Sequence, residues 1–131
     1  MATTATAAEW HRHVMAKRPF PTHVRKQRRR WALSQRELAQ LLGGSESIVA
    51  KYERGARTPS LEAALALEVV FGIVPRDLFP SKFHDQRRAV VRRAEALLES
   101  LASRQDRQTR RKRKLLGELI TRSQTQHGDG I

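Results

Sequence analysis

Residues 33–55 read LSQRELAQLLGGSESIVAKYERG, and their spacing predicts two short helices joined by a tight turn. Ser34 and Glu37 form an S-x-x-E capping box, in which each side chain bonds the backbone of the other at a helix start. Gly43 and Gly44 end this helix after about two turns, since glycine tolerates the left-handed conformation that closes helices. A second helix then begins at once from Ser45.

The second helix has two different faces on a wheel of about 100° per residue. Its predicted buried side falls within one third of the circle and consists of Ile48, Val49 and Tyr52. The opposite side carries small, polar and basic residues, namely Glu46, Ser47, Ala50, Lys51 and Arg54. Such a helix fits the major groove of DNA, whose width admits a helix. Two helices linked by a short turn containing glycine are typical of a helix-turn-helix.

The segments on either side of this pair continue the helical pattern. Ser60 and Gly72 mark the start and stop of another helix, and PRDLF at 75–79 predicts one further turn. In the first helix of the pair, Leu38, Leu41 and Leu42 are expected to form one apolar face, with the small Ala39 where the two helices approach most closely. We therefore predict an all-α domain over residues 22–80, with four short helices followed by a fifth.

Residues 1–21 are predicted to be a flexible leader, either disordered or a loosely docked arm, because small residues there are followed by the helix-breaking sequence PFP. Residues 81–131 are predicted to be a basic helical extension. Its apolar residues recur at intervals of three and four over 85–103, at Val90, Ala94, Leu97, Leu98 and Leu101. This stripe could mediate dimerisation, bind a protein partner or fold back on the domain's own core. A second apolar helix edge follows at KLLGELI.

Charge indicates the class of partner. The chain of 131 residues has a formal net charge of +13 and a pI near 11.5, which favours nucleic acid over membranes or acidic proteins. Residues 22–80 carry +4 and residues 81–131 carry +7. The basic run from Arg104 to Lys114 is either a solvated face or a phosphate-binding arm.

Other functional classes find little support in the sequence. There is no cysteine, and the apolar runs are too short to span a bilayer. His11 and His13 do not face each other on a helix, so we expect no metal and no cofactor. No phosphate-binding glycine loop or activated nucleophile is present, so an enzyme is not expected. We expect a cytoplasmic, nucleoid-associated protein, since no secretory signal precedes the domain.

The residues from Val24 through LSQRELAQLLG, SESIVAKYERG and RTPSLEAALALEVVFGI to Phe79 resemble the lambdoid phage repressor and Cro type of helix-turn-helix. This family has a five-helix DNA-binding domain and is common among bacterial regulators. The resemblance implies base contacts by Glu46, Ser47 and Lys51. It also implies that Gln35 contacts phosphate and that Ser45 and Ala50 lie close to the DNA. Arg54, on the polar side of the second helix, and Arg57 are further candidates for contact with phosphate or a place near the DNA. A structural ion pair is implied between Arg28 and Glu53.

The leading hypothesis is a sequence-specific transcriptional repressor that binds double-stranded DNA at a near-palindromic operator as a homodimer. One alternative is an antitoxin that binds a toxin through the apolar stripe. Another is a nucleic-acid binder without sequence preference that uses its tail. In either DNA-binding hypothesis, the tail residues expected to contact phosphate are Arg110, Arg111, Lys112, Arg113 and Lys114.

Overall fold

A computed structural model describes residue 6 and residues 19–128, with side chains described through residue 125. The two leader histidines and most of the predicted leader lie outside these residues. The described residues form seven helices and no strand, which confirms the all-α class. The helices are α1 (Val24–Arg30), α2 (Gln35–Leu42), α3 (Glu46–Arg54), α4 (Leu61–Phe71), α5 (Pro75–Leu78), α6 (Pro80–Ser100) and α7 (Arg107–Gly128). Contacts divide the chain into two compact units, with the boundary between Lys82 and Phe83.

Serine and glycine delimit the three central helices, as the sequence predicts. The side chains of Ser34, Ser45 and Ser60 each accept a hydrogen bond from a backbone N–H in the first turn of the helix that follows. The capping box is complete, because the backbone N–H of Ser34 also donates to Glu37 Oε1 at 2.9 Å. Three glycines in the left-handed conformation, Gly43, Gly55 and Gly72, end the same helices. The predicted starts at the three serines and the predicted stops at Gly43 and Gly72 are confirmed.

The core of the first unit joins helices α1 to α5. Its buried residues are Val24, Leu38, Ala39, Val49, Leu67, Leu78 and Phe79. Leu42 packs against this core, but Leu41 is 57% exposed, so the prediction that it shares the apolar face is wrong. On the helical wheel the core side of α2 is centred between Leu38 and Ala39, and Leu41 lies about 60° beyond Leu38 in the other direction.

Phe20, which the sequence places in the leader, packs on this core. Its ring meets Phe79 edge to face at a centroid distance of 6.5 Å, and its backbone N–H donates to the carbonyl oxygen of Gly55 at 3.2 Å. A Cβ at position 55 would lie 1.8 Å from the Phe20 carbonyl oxygen. Glycine is therefore required at position 55 both for its positive φ and for the passage of residue 20.

The second unit is a helical hairpin formed by α6 from Phe83 onward and α7. Ala94, Leu101 and Leu116 are buried between the helices, and Leu98, Leu119 and Ile120 pack against them. Asp106 caps α7, accepting hydrogen bonds from the backbone N–H and the hydroxyl of Thr109 at 3.0 and 2.6 Å. These bonds lower the pKa of the Asp106 carboxyl.

Candidate nucleic-acid interface

Helix α3 presents five candidate DNA-contacting residues on one side. Glu46, Ser47, Lys51 and Arg54 are exposed, and Ala50 is half-buried between them. On the helical wheel they span about 140°. The other side of α3 is fixed in the protein, because Val49 is 1% and Tyr52 5% exposed. A polar face on a helix anchored along its opposite face can enter a groove without distorting the domain.

Glu53 is the polar anchor of α3. Its side chain is completely buried, although it carries a carboxylate. Arg28 binds it with two parallel hydrogen bonds, from Nε to Oε2 at 2.7 Å and from Nη2 to Oε1 at 2.9 Å. Arg25 Nε donates to Oε1 at 3.2 Å, and Gln35 Nε2 to the same oxygen at 3.4 Å. The carboxylate thus links α1, α2 and α3.

The charges of this network stabilise each other. Burial alone would raise the pKa of Glu53, but the hydrogen bonds from Arg28, Arg25 and Gln35 outweigh burial, and the pKa is lowered. The hydrogen bond to Glu53 raises the pKa of Arg28. Both groups are therefore charged at neutral pH, and the bidentate geometry fixes the orientation of α3 relative to α1.

Comparison with protein families identifies this arrangement. Residues 24–79 match the family model described as helix-turn-helix, which is of the Cro/C1 type. These residues form a Cro/C1-type helix-turn-helix domain. Neither curated proteins nor solved structures gave a match to the chain. The family is one of DNA-binding regulators, so the helix-turn-helix domain supports a DNA-binding regulatory role.

The remaining candidate residues of the helix-turn-helix domain lie around α2 and α3. Gln35 is the first residue of α2 and is half-buried. Ser45 caps α3, and its hydroxyl oxygen accepts from the backbone N–H of Ile48 at 3.2 Å. Arg57 is exposed in the loop after α3. Because Gln35 donates to Glu53, its half-buried side chain connects the start of α2 to the end of α3.

The basic tail residues belong to the second unit. Residues 107–114 form the first turns of α7, in agreement with a helical extension. Arg110, Arg111, Lys112 and Lys114 are exposed. Arg113 is half-buried, and its Nη2 donates to the carbonyl oxygens of Leu101 and, at 2.6 Å, Arg104. It therefore caps the end of α6, since basic groups satisfy the last carbonyls of a helix.

Sequence reasoning missed Arg25, Phe20 and the capping role of Arg113. Arg25 precedes Arg28 by three residues, a spacing that places both on one face of α1, so a helical wheel could have indicated it. Phe20 carried no such signal, because its contacts are with residues far along the chain.

The described part of the chain was also searched for metal-binding groups of side chains and for membrane-spanning helices. Within it, no set of three or more His, Cys, Asp or Glu side chains is grouped to hold a metal ion. None of its helices combines the length and apolar character needed to cross a membrane.

Proposed function

We propose that this protein is a sequence-specific transcriptional repressor that binds a near-palindromic DNA operator as a homodimer. It would act in the cytoplasm, on the nucleoid, and the proposal includes no enzymatic step. The observation that carries it is the exposed face of α3, where Glu46, Ser47 and Lys51 project from a helix anchored by Val49, Tyr52 and Glu53.

The chemistry of these three residues supports base recognition. A glutamate accepts from the amino group of cytosine and is repelled by the acceptors of guanine. A lysine donates to the O6 and N7 atoms of guanine, and a serine can bond either kind of edge. An acid at position 46 lowers the affinity of the helix for phosphate. Its place on the exposed face therefore favours a role in discriminating between bases over a role in attracting the DNA backbone.

Phosphate contacts would come from the residues around α3. Arg54 and Arg57 are exposed, and Gln35 lies at the N-terminus of α2, where backbone N–H groups favour an anion. Ser45 and Ala50 would lie close to the DNA without reading a base. Such contacts fix the register of the reading helix but carry no sequence information themselves.

Dimerisation is supported by the apolar residues that the second unit leaves exposed. Val90 and Leu97 are 44% and 47% exposed and lie seven residues apart on α6. Only three apolar residues of the described part of the hairpin are buried, a small core for a unit of this length. A second copy that covers Val90 and Leu97 would enlarge this core and place two helix-turn-helix domains on one operator.

Selection of bound fragments from randomised duplexes tests the proposal directly. We expect an enriched, near-palindromic sequence. Lys51→Ala should then weaken binding to that sequence by about 1–3 kcal/mol and relax the preference at one position in each half-site. Equal weakening on selected and random duplexes would contradict sequence-specific reading by α3.

Replacement of tail residues distinguishes the proposed repressor from a nucleic-acid binder without sequence preference. Replacing Arg110, Arg111 and Lys114 by Ala should weaken binding to all duplexes alike. The slope of log affinity against log salt should become shallower by about one for each phosphate that the variant no longer neutralises. If binding without sequence preference depends entirely on these residues, the protein is a nonspecific nucleic-acid binder. Arg113→Ala is unsuitable for this test because Arg113 caps α6.

A second candidate function is that of an antitoxin. The same exposed Val90 and Leu97 could bind a toxic partner protein instead of a second copy. Co-expression with candidate small toxic proteins tests this function. A stable complex that is abolished on replacing Val90 and Leu97 by Asn, while the DNA-binding chain remains folded, would favour it.

A further inference from the structure

The turn between α1 and α2 presents a tryptophan to solvent in a strongly basic environment. Trp31 follows the last residue of α1 and is 60% exposed. The guanidinium carbon of Arg30 lies 5.3 Å from the centroid of its ring. Lys26 and Arg29 are also exposed, and α1 contains no acidic residue. A large exposed aromatic group beside one cation, at the end of a helix that carries further exposed cations, is complementary to an anionic partner with apolar surface.

This turn is held beside the proposed DNA-binding elements. Arg28 Nη1 donates to the carbonyl oxygen of Leu33 at 2.9 Å, while the same guanidinium binds Glu53 of α3. Gln35, the first residue of α2, also bonds Glu53. The guanidinium of Arg28 therefore ties the turn to Glu53 at the end of α3. Glu53 also accepts from Gln35 at the start of α2, where a phosphate contact is proposed.

DNA backbone combines the two properties that this surface requires. Its phosphates attract Arg30 and accept from the indole N–H, and its deoxyribose rings offer apolar area to an aromatic face. A protein partner would have to be acidic to approach the exposed cations of α1, whereas any duplex long enough to pass the turn carries the necessary charge.

We propose that Trp31 packs against a deoxyribose of the DNA backbone flanking the base pairs read by α3, with Arg30 bound to an adjacent phosphate. The proposal rests on the proposed function and extends the protein's contact with DNA beyond the helix-turn-helix itself. It predicts that flanking base pairs of any sequence increase affinity, and that Trp31 is responsible for part of the increase.

The experiment uses the full chain with Trp10 replaced by Phe, so that Trp31 is the single tryptophan. Two duplexes are compared, the selected operator alone and the operator extended by about ten base pairs, or one helical turn, on each side. Trp31 emission and its quenching by iodide are measured with and without saturating duplex. Affinities are measured for Trp31→Ala, Trp31→Phe and Arg30→Ala over a range of salt concentrations.

We expect the extended duplex to protect Trp31 from iodide. Trp31→Ala should lower affinity for this duplex about tenfold, a typical effect for a buried aromatic contact, and leave affinity for the short duplex unchanged. The slope of log affinity against log salt should not change, because the substitution removes no charge. Arg30→Ala should reduce that slope by about one, and Trp31→Phe should retain most of the affinity. Leu61→Ala, a matched control at an apolar residue that is 71% exposed, should have no effect.

Three results would overturn the proposal. Trp31 could remain open to iodide in a saturated complex with the extended duplex, which would leave the proposed function intact. Trp31→Ala could change the sedimentation of the protein but not its affinity for either duplex, which would make Trp31 a protein contact. Failure of the chain to bind any duplex would overturn the proposed function together with this inference.

Discussion

At the scale of single residues, Glu53 has the most consequences for the helix-turn-helix domain. A buried carboxylate is costly unless it is paired and fully hydrogen-bonded. Here Arg28, Arg25 and Gln35 all donate to it. The two arginines lie on α1 and Gln35 lies on α2. The network therefore acts less as a source of stability than as a device that fixes the angle between helices.

The two arginines that bind Glu53 should differ in their contribution to stability. The side chain of Arg28 is 12% exposed and that of Arg25 is 49% exposed. Arg28→Met should lower the free energy of unfolding by about 3 kcal/mol, because it leaves a buried carboxylate without its main partner. Arg25→Met, the matched control, should cost less than about 1 kcal/mol, since half of its side chain is in water. Urea unfolding monitored by circular dichroism measures both, and equal decreases would contradict the assignment.

The lowered pKa of Glu53 predicts a decrease of stability in acid. A carboxyl whose pKa is lower in the folded state than its ordinary value of 4.5 stabilises the fold above that value. This contribution disappears as pH falls through the folded pKa. The free energy of unfolding should therefore decrease below about pH 5. In Glu53→Gln this decrease of the free energy of unfolding in acid should be smaller. The part caused by Glu37 and Asp106 should remain, because the pKa values of these two carboxyls are lowered too. An unchanged acid dependence in the variant would show that Glu53 does not contribute.

At the scale of elements, the turn between α1 and α2 contains a conformation that its residue does not favour. Ala32 has a φ of 57°, in the left-handed region where glycine carries no Cβ penalty. Ala32→Gly should therefore raise the free energy of unfolding by about 0.5–1 kcal/mol. Ala63→Gly, inside α4, is the control and should lower it by about 1 kcal/mol. Thermal unfolding of both variants measures the difference, and a less stable Ala32→Gly variant would contradict the prediction.

The elements themselves could be predicted from the sequence because their ends are encoded locally. Ser34, Ser45 and Ser60 bond backbone groups within three residues, and the glycines that follow each helix adopt a conformation that few other residues tolerate. The exposed side of α3 could likewise be predicted from a helical wheel, which uses only the order of residues in the helix. These features depend on neighbours in the chain, which the sequence displays.

Contacts between distant residues could not be predicted from the residue pattern, and the ion pair between Arg28 and Glu53 was implied only by the family resemblance. The burial of Phe20 depends on Phe79 and Gly55, and the exposure of Leu41 depends on how α2 is rotated against the core. Likewise, Arg113 looks in the sequence like one more charge in a basic run, because only the closure of the hairpin brings it to the end of α6. Each of these outcomes is decided by packing, which periodicity does not specify.

At the scale of the whole molecule, the proposed dimer predicts a link between the second unit and DNA affinity. Replacing Val90 and Leu97 by Asn should convert the protein to a monomer, which sedimentation measures. Affinity for the full operator should fall by about a hundredfold or more, because paired domains bind with a high effective concentration. Affinity for a half-site should not change. Replacing Ala96 by Asn, also exposed on α6, is the matched control. A double variant that remains dimeric would place the interface elsewhere.

The burial of Glu53 has a practical consequence for protein engineering. The residues that hold α3 in place, Val49, Tyr52 and Glu53, are separate from those on its exposed face. A library randomised at positions 46, 47, 50, 51 and 54, with the anchoring positions kept constant, should therefore yield mostly folded proteins. Variants with new operator preferences could then be isolated without first having to restore stability.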